Sequence, residues 1–523
     1  MSGAQELDTR HDGGLLVARA AKSTVASLFS SRARVHPDRP ALDDGVRVTT
    51  YGELEQRVAR LAGALASRGV VRGARVAVLS ENRSEYLEID LAAARLGAIV
   101  ACQNWRLSPS ELRYCLDLVE PACVLVSPRH EAKLAALDGA WPPPIVLGPE
   151  YERAIAEAAA APLGEDVDPE DALFILYTSG TTGLPKGAVI SHRAEIARNL
   201  VMRAELGLAG DDGTVAWPPL YHMGATEWSL GTLMSGGTVY VVDGYDPARL
   251  ADLVATKKLG WLLLMPGMVG AFAAELRARG TKPRGVRICG VMADLVPRTE
   301  LAEITRLLGA PYGNTFGATE TGCPPCSSNL IPVGVEPDRL SKEQSPYCEI
   351  RLVDRAGCDV PDGTPGELWM RGPTLFSGYF RADETNARDF AGGWFHMGDV
   401  FVRNADGSLD FVDRVKYLIK SGGENVYPAE IERVLFQEPR VADAAVVRRP
   451  DAKWGEVPVA FVARRDESLT ADDLRARCRA ELAGYKQPKD IVFIPLDAFP
   501  RSASGKVQRH ELEKLLEPQK DPR

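Results

Sequence analysis

Residues 177–192, Y-T-S-G-T-T-G-L-P-K-G-A-V-I-S-H, connect a strand-like run to a helix through a loop rich in hydroxyls and glycine. Upstream, Ala172-Leu-Phe-Ile-Leu-Tyr177 is an unbroken apolar run that ends at a Gly/Thr cluster, which predicts a buried strand. Downstream, Ser191 is placed to cap a helix whose apolar positions Ile196, Leu200 and Met202 recur at roughly helical spacing. Between them Thr178, Ser179, Thr181 and Thr182 offer hydroxyl donors. Gly180, Gly183 and Gly187 give a pliable backbone, and Lys186 supplies a cation. A polyphosphate is held by that combination of donors, curled backbone and fixed charge. A Walker loop is excluded, because Gly187 stands where that pattern needs Ser or Thr after the lysine. An ordinary Gly-rich turn is the bland alternative, and the loop by itself does not decide between them.

A chain of 523 residues is too long for one compact core and suggests roughly three domain-sized units. Its 45% apolar and 25% charged content are those of a soluble globular protein. A net charge of −9 disfavours nucleic-acid binding through phosphate contacts. The nine cysteines are scattered and odd in number, which points to a reducing cytoplasm rather than a disulfide framework. Cys323 and Cys326 form a C-P-P-C pair with no second pair at zinc-ribbon spacing, so they are expected as thiols lining a loop. The opening M-S-G-A-Q-E-L-D-T-R-H-D has early acidic residues and no long apolar core, so a signal peptide is not expected. Residues 259–276 approach the length of a membrane span. Pro266-Gly267 divides them and Glu275 lies near their end, which predicts a strand over 261–265 and then a helix, with no membrane span.

Along the chain, residues 1–20 form a polar tail. Strand-like runs at 75–79, 98–101 and 122–126 alternate with helical segments at 51–66, 86–96 and 110–118, which predicts βαβ units on a largely parallel sheet. A second series has strands at 238–242, 261–265, 286–289 and 310–315. Short alternating strands at 349–353, 366–370 and 408–412 then predict a small β-rich subdomain. From about Arg414, a segment at 417–420, strands at 442–448 and 457–463 and helices at 428–436 and 471–482 predict a compact α+β unit. The expected class is therefore α/β: a large N-terminal domain of two βαβ-type sheet subdomains plus a small β-rich one, followed by a small α+β C-terminal domain.

Further motifs stand in order after the opening loop. Asn314-Thr-Phe-Gly-Ala-Thr-Glu320 follows a predicted strand, and a carboxylate at the edge of a parallel sheet suits a hard cation beside phosphates. Gly392-Gly-Trp-Phe-His-Met-Gly-Asp399 ends in an acid able to hold ribose hydroxyls. Asp413-Arg414-Val-Lys416, Ser421-Gly-Gly-Glu-Asn-Val-Tyr-Pro-Ala-Glu-Ile-Glu432 and Pro500-Arg-Ser-Ala-Ser-Gly-Lys506 follow. Taken singly, Glu320 is a solvated carboxylate, Asp399 a turn residue and Lys506 a surface cation. In this order, with Y-K-Q-P-K before the last, they resemble the adenylate-forming superfamily of acyl-CoA synthetases, luciferases and peptide-synthetase adenylation domains, over roughly residues 41–509.

The resemblance implies the following roles. Residues 178–186 would wrap the β- and γ-phosphates of ATP, Glu320 would hold Mg²⁺, and Thr319 would lie near the α-phosphate. Asp399 and Arg414 would grip the ribose. Adenine would lie between Phe316, preceded by Asn314 and Thr315, and the backbone of Gly290, Val291 and Met292. Lys506 would bridge the attacking carboxylate and the α-phosphate, two anions that meet only beside positioned cations. The mobile C-terminal domain, residues 417–523, would turn about a hinge at 414–416 centred on Lys416, leaving 21–413 as the ATP- and acyl-binding domain. That turn would replace Lys506 by a coenzyme A passage along Lys420, Ser421, Gly422 and Gly423, where missing side chains make room.

Met397, Tyr417, the Thr315-Phe316 pair and Cys289-Gly-Val-Met-Ala293 depart from the family pattern without removing a charged catalytic group. In the acyl region Tyr221-His222-Met-Gly-Ala-Thr-Glu-Trp228 lacks the Asp that anchors an amino-acid substrate, and no carrier domain follows within the chain. His222 is expected to guard the acyl pocket; a core histidine bonded to backbone is its plain alternative. Tyr221, Met223, Gly224, Ala225, Trp228, Val291, Gly317 and Cys323 would line the cavity, with Gly224, Ala225 and Ala293 leaving room for a bulky body and Trp228 capping its depth. These features imply a fatty, aromatic or alicyclic acid joined to CoA. Loading of a carrier protein, or a luciferase-like oxygenation, stays open, as does a homodimer.

Overall fold

Thr50 and Ser108 each begin a helix as the sequence dictates. Their hydroxyls accept from the backbone N–H three residues on while Glu53 and Glu111 reach back, capping Tyr51–Ala66 and Pro109–Val119. In the computed structural model, which describes residues 20–178, 184–422, 424–501 and 507–516, contacts divide the chain into two compact units. The first runs up to Cys348 and includes Gly372–Arg388; the second comprises Glu349–Arg371 and the chain from Asp389 onward.

The first unit holds two sheets. In one, Ile145–Val146, Cys123–Val126, Arg75–Leu79, Ile99–Cys102 and Ala172–Thr178 are parallel neighbours in that order. Their near-continuous apolar content is what burial on both faces requires. The other has the order Leu330–Ile331, Tyr312–Gly313, Val286–Cys289, Leu259–Leu262, Gly213–Ala216, Val239–Val241, Pro40–Asp43, Val48–Thr50, parallel except at its two ends. Asn82 links them: its amide donates to the carbonyls of Ala216, Pro218 and Val242 at 2.9, 2.7 and 3.0 Å and accepts from Leu220 N.

The second unit contains an antiparallel sheet of Glu349–Val353, Gly366–Arg371, Phe395–Arg403 and Leu409–Arg414. It also holds a sheet in which Val441–Asp451 and Gly455–Arg464 form a long hairpin beside Ile419–Ser421 and Asp490–Phe493. The expected β-rich subdomain thus groups with the C-terminal segment, and the expected hinge residues lie inside this unit, Arg414 at a strand end and Val415 and Lys416 in the short 3₁₀ turn Val415–Tyr417. Asp413 supplies a physical reason. Its buried carboxylate accepts from Ala429 N at 2.7 Å, fastening the helix Pro428–Phe436 to the strand that ends at Arg414.

Several expectations need correction. The opening stretch does not pass from loop directly to helix: Lys186–Ser191 is a strand antiparallel to Ala172–Thr178, and Lys186 and Gly187 belong to it. Leu200 is 63% exposed, and the helix His192–Leu206 instead buries His192, Glu195 and Arg198 with Val201 and Met202. The strand expected over 310–315 shrinks to Tyr312–Gly313, because the chain leaves the sheet to form the hairpin Phe316–Ala318/Gly322–Cys326. Cys323 and Cys326 therefore lie on a strand rather than lining a loop. Among the described residues no helix is long and apolar enough to cross a membrane.

Candidate active site

The hairpin of Ala172–Thr178 and Lys186–Ser191 brings Thr178 opposite Lys186. Ser179, Gly180, Thr181, Thr182 and Gly183, the tip of the expected phosphate loop, lie outside the described residues. Residues 377–380 run along the outer side of Lys186–Ser191: Phe380 N donates to Gly187 O, Ser377 N to Val189 O, and Val189 N to Gly378 O. This pairing brings in Tyr379, whose ring lies 4.9 Å below the Lys186 ammonium and whose hydroxyl donates to Glu320 Oε1 at 2.8 Å. Glu320 stands in the turn between Phe316–Ala318 and Gly322–Cys326, not directly at the edge of the parallel sheet. Lys186 and Glu320, far apart in sequence, thus share one tyrosine. A cation and a carboxylate held this way fit a phosphate chain with a hard cation beside it.

The backbone expected against adenine is irregular. Gly290 has φ +69°, and a Cβ there would fall 2.0 Å from the Tyr312 ring, so only glycine fits. Met292 has φ +49°. Trp261 Nε1 donates to Gly290 O at 2.9 Å and the Tyr312 hydroxyl to Val291 O at 3.1 Å. Thr315 is buried and Phe316 half-buried at the start of the hairpin. The Asn314 side chain braces this segment: its amide donates to the Leu340 and Ser341 carbonyls and accepts from Lys342.

On the acyl side, Nδ1 of His222 accepts from Gly224 N at 3.1 Å, capping the helix Met223–Ser235. The histidine is bonded to backbone, yet its ring is exposed rather than set in a core. Tyr221 is buried, edge-on to Trp105, and desolvation pushes its phenol up to about 12. Trp228 meets Trp261 at 4.3 Å between ring centroids, and both pack with Met202, Ile288, Val291 and Cys323. A Cβ on Gly224 would meet His222 and Leu263 at 3.4 and 3.5 Å, ordinary van der Waals distances, so space remains at that position, whereas Ala225 and Ala293 are buried. Gly317 is required by the hairpin, where a Cβ would fall 2.0 Å from Gly322 O.

In the second unit, Asp399 is 1% exposed and lies in register with Arg414, whose Nε is 3.0 Å from its carboxylate. Lys416 lies over the Tyr417 ring at 4.8 Å, and Arg509 takes the same tyrosine at 4.4 Å while pairing with Glu432. Lys420 is exposed and Ser421 buried on Ile419–Ser421, and Gly422 N donates to Trp454 O at 2.8 Å. Gly423 and Lys506 lie outside the described residues; Arg501 and Val507 pair on either side of the latter's motif.

Residues 29–380 match the model of the AMP-binding enzyme family, and residues 430–506 that of the AMP-binding enzyme C-terminal domain. The chain belongs to the AMP-binding enzyme family. Within it, a feruloyl-CoA synthase of Amycolatopsis sp is 35% identical over 92% of this chain and 96% of its own. A 2-succinylbenzoate–CoA ligase of Bacillus cereus is 33% identical over 94% and 99%. Among solved structures, the o-succinylbenzoate CoA synthetase of Bacillus subtilis in complex with its acyl-adenylate intermediate superposes with TM-score 0.82 at 26% identity, covering 94% and 98% of the two chains. ATP-bound MatB of Rhodopseudomonas palustris gives 0.81 at 28% over the same shares. This AMP-binding enzyme is an acid–CoA ligase of the acyl-CoA synthetase branch.

Two residues that the sequence reading missed connect the expected site residues. Tyr379 gave no signal beyond an aromatic in a Ser-Gly-Tyr-Phe loop. Arg198 was legible in principle, since His192, Glu195, Arg198 and Asn199 mark a polar stripe at helical spacing. At 2% exposure its guanidinium pairs with Glu227 of the acyl helix and donates to the carbonyls of Thr319 and Thr374 at 3.1 and 2.9 Å. It thereby links the helix Met223–Ser235, expected to line the acyl pocket, to the turn that carries Glu320.

Proposed function

We propose that this acid–CoA ligase activates a hydrophobic, ring-bearing carboxylic acid as its acyl-AMP and then passes the acyl group to the thiol of coenzyme A. In the first step a carboxylate oxygen attacks the α-phosphorus of ATP and pyrophosphate leaves. In the second the CoA sulfur attacks the acyl carbonyl and AMP leaves. The observation that carries the first step is Tyr379 under Lys186 and against Glu320, which holds a phosphate-binding cation and an acidic ligand on one side chain. Glu320 is the residue to hold Mg²⁺, which when bound would neutralise phosphate charge. Thr178 and Lys186 hold the leaving pyrophosphate together with residues 179–183. Lys506 neutralises the attacking carboxylate and α-phosphate, and Asp399 and Arg414 hold the ribose. Lys416 serves as the hinge between the two steps, and Lys420, Ser421, Gly422 and Gly423 line the coenzyme passage.

An aromatic or alicyclic acid is supported by the Trp228–Trp261 pair and its apolar neighbours, and by relatives named for feruloyl and succinylbenzoyl thioesters. The test is pyrophosphate release over a panel of aryl, alicyclic, fatty and amino acids, with and without CoA. Aryl or alicyclic acids should give the highest kcat/KM, with thioester formed only when CoA is present. Adenylate that accumulates unconverted with CoA would point instead to a carrier-protein acceptor. A preference for amino acids would overturn the pocket assignment.

A further inference from the structure

Lys342 is 0% exposed. Lysine is almost never fully buried unless its charge is paired. Here the ammonium donates to Asp294 Oδ2 and to Asn314 Oδ1, each at 2.7 Å. Asn314 in turn donates to the carbonyls of Leu340 and Ser341 at 3.0 and 3.1 Å, and Asn329 also donates to Ser341 O. One buried cation therefore fastens three separate segments: the turn ending at Asp294, the strand end at Asn314, and the stretch that carries Lys342 itself.

The first of these segments is strained. Met292 holds φ +49° and ψ 64°, a left-handed conformation that a long side chain keeps only where its surroundings over-determine it. Trp261 and Tyr312 pin the carbonyls of Gly290 and Val291 just before it. The Lys342–Asp294 pair pins the chain two residues after it. Asn314 stands two residues before Phe316. The same lysine thus bonds next to both the Gly290–Val291–Met292 backbone and Phe316, the two walls assigned to adenine.

We propose that Lys342 is a positioning residue for the purine slot: its ammonium, bridging Asp294 and Asn314, fixes the slot's width and so the choice of base. The proposal rests on the ATP-dependent ligase reading given above. Its plain alternative is a buried ion pair that serves stability alone, and a set of substitutions separates the two. Lys342→Met removes the bridge and leaves the Asp294 carboxylate without its cation. Lys342→Met/Asp294→Asn removes both charges, and because the Asp294 side chain is 35% exposed no uncompensated charge is left buried. Asp294→Asn alone keeps the shape and weakens the bridge, and it carries the test with the double variant should Lys342→Met not fold.

Nucleotide dissociation constants for ATP and GTP would be measured by calorimetry, with KM for the acid from pyrophosphate release. In the double variant, thermal stability should return to near wild type while the ATP dissociation constant stays raised by about tenfold. The preference for ATP over GTP should narrow and KM for the acid should stay within about twofold. ATP affinity and base preference that recover together with stability would overturn the positioning role, as would equal weakening of ATP and acid. Failure of the wild-type protein to bind ATP would overturn the ligase reading itself, a result distinct from either.

Discussion

Tyr379 shows how much a single side chain decides here. Its ring lies under Lys186 and its hydroxyl orients the Glu320 carboxylate, so the two functions can be separated by chemistry. Tyr379→Phe keeps the ring and removes only the hydroxyl, leaving Glu320 with one fewer donor; hydrogen bonds to charged groups contribute about 1.5–3 kcal/mol. The kcat of pyrophosphate release should fall by about tenfold or more while KM for ATP changes far less, since the cation–π contact remains. A loss confined to ATP affinity would assign the hydroxyl another role. His222 illustrates the opposite outcome. The sequence offered a pocket guard or a core histidine, and the structure shows a helix cap with an exposed ring.

At the scale of elements, the helix His192–Leu206 is the informative one. Its inward face carries Glu195 and Arg198, and Arg198 pairs with Glu227 of the next helix, all three out of water. Burial first, and then the charge of Glu227, push the Glu195 carboxyl well above the ordinary carboxylate range, while Asn199 donates to it at 2.8 Å. An unfolded glutamate releases its proton near 4.5, whereas the folded one keeps it, so this group supports folding most at acid pH and its contribution declines as pH rises above that value. Glu195→Gln, which is neutral throughout, should therefore gain in relative stability between about pH 5 and about pH 8, as read by urea denaturation at each pH. A gap independent of pH would mean that Glu195 is ionised in the fold. Arg198 is what makes this arrangement tolerable, and it also ties the acyl helix to the Thr319 carbonyl beside Glu320.

For the molecule as a whole, the two half-reactions are the natural probe, because the proposed roles fall on different units. Lys506→Ala should abolish pyrophosphate release yet leave thioester formation from supplied acyl-AMP largely intact; equal loss in both steps would remove Lys506 from its assigned place. Strands such as Arg75–Leu79 and Glu349–Val353 and helices such as Tyr51–Ala66 and Pro428–Phe436 were legible because local apolar runs, capping residues and turn residues specify them within a few positions. The strand Lys186–Ser191 was not, because only pairing with Ala172–Thr178 on one side and residues 377–380 on the other makes it a strand. Packing likewise decided the polar face of His192–Leu206, the burial of Ala225 and Ala293 and the bracing role of Asn314. By itself the sequence determined the order of the elements, the family and the residue types available for nucleotide chemistry, since those are properties of short segments. Only the tertiary structure decided which side chains meet: Tyr379 with Lys186 and Glu320, Arg198 with Glu227, Lys342 with Asp294 and Asn314. Such meetings depend on contacts between segments far apart in the chain, and no local pattern encodes them.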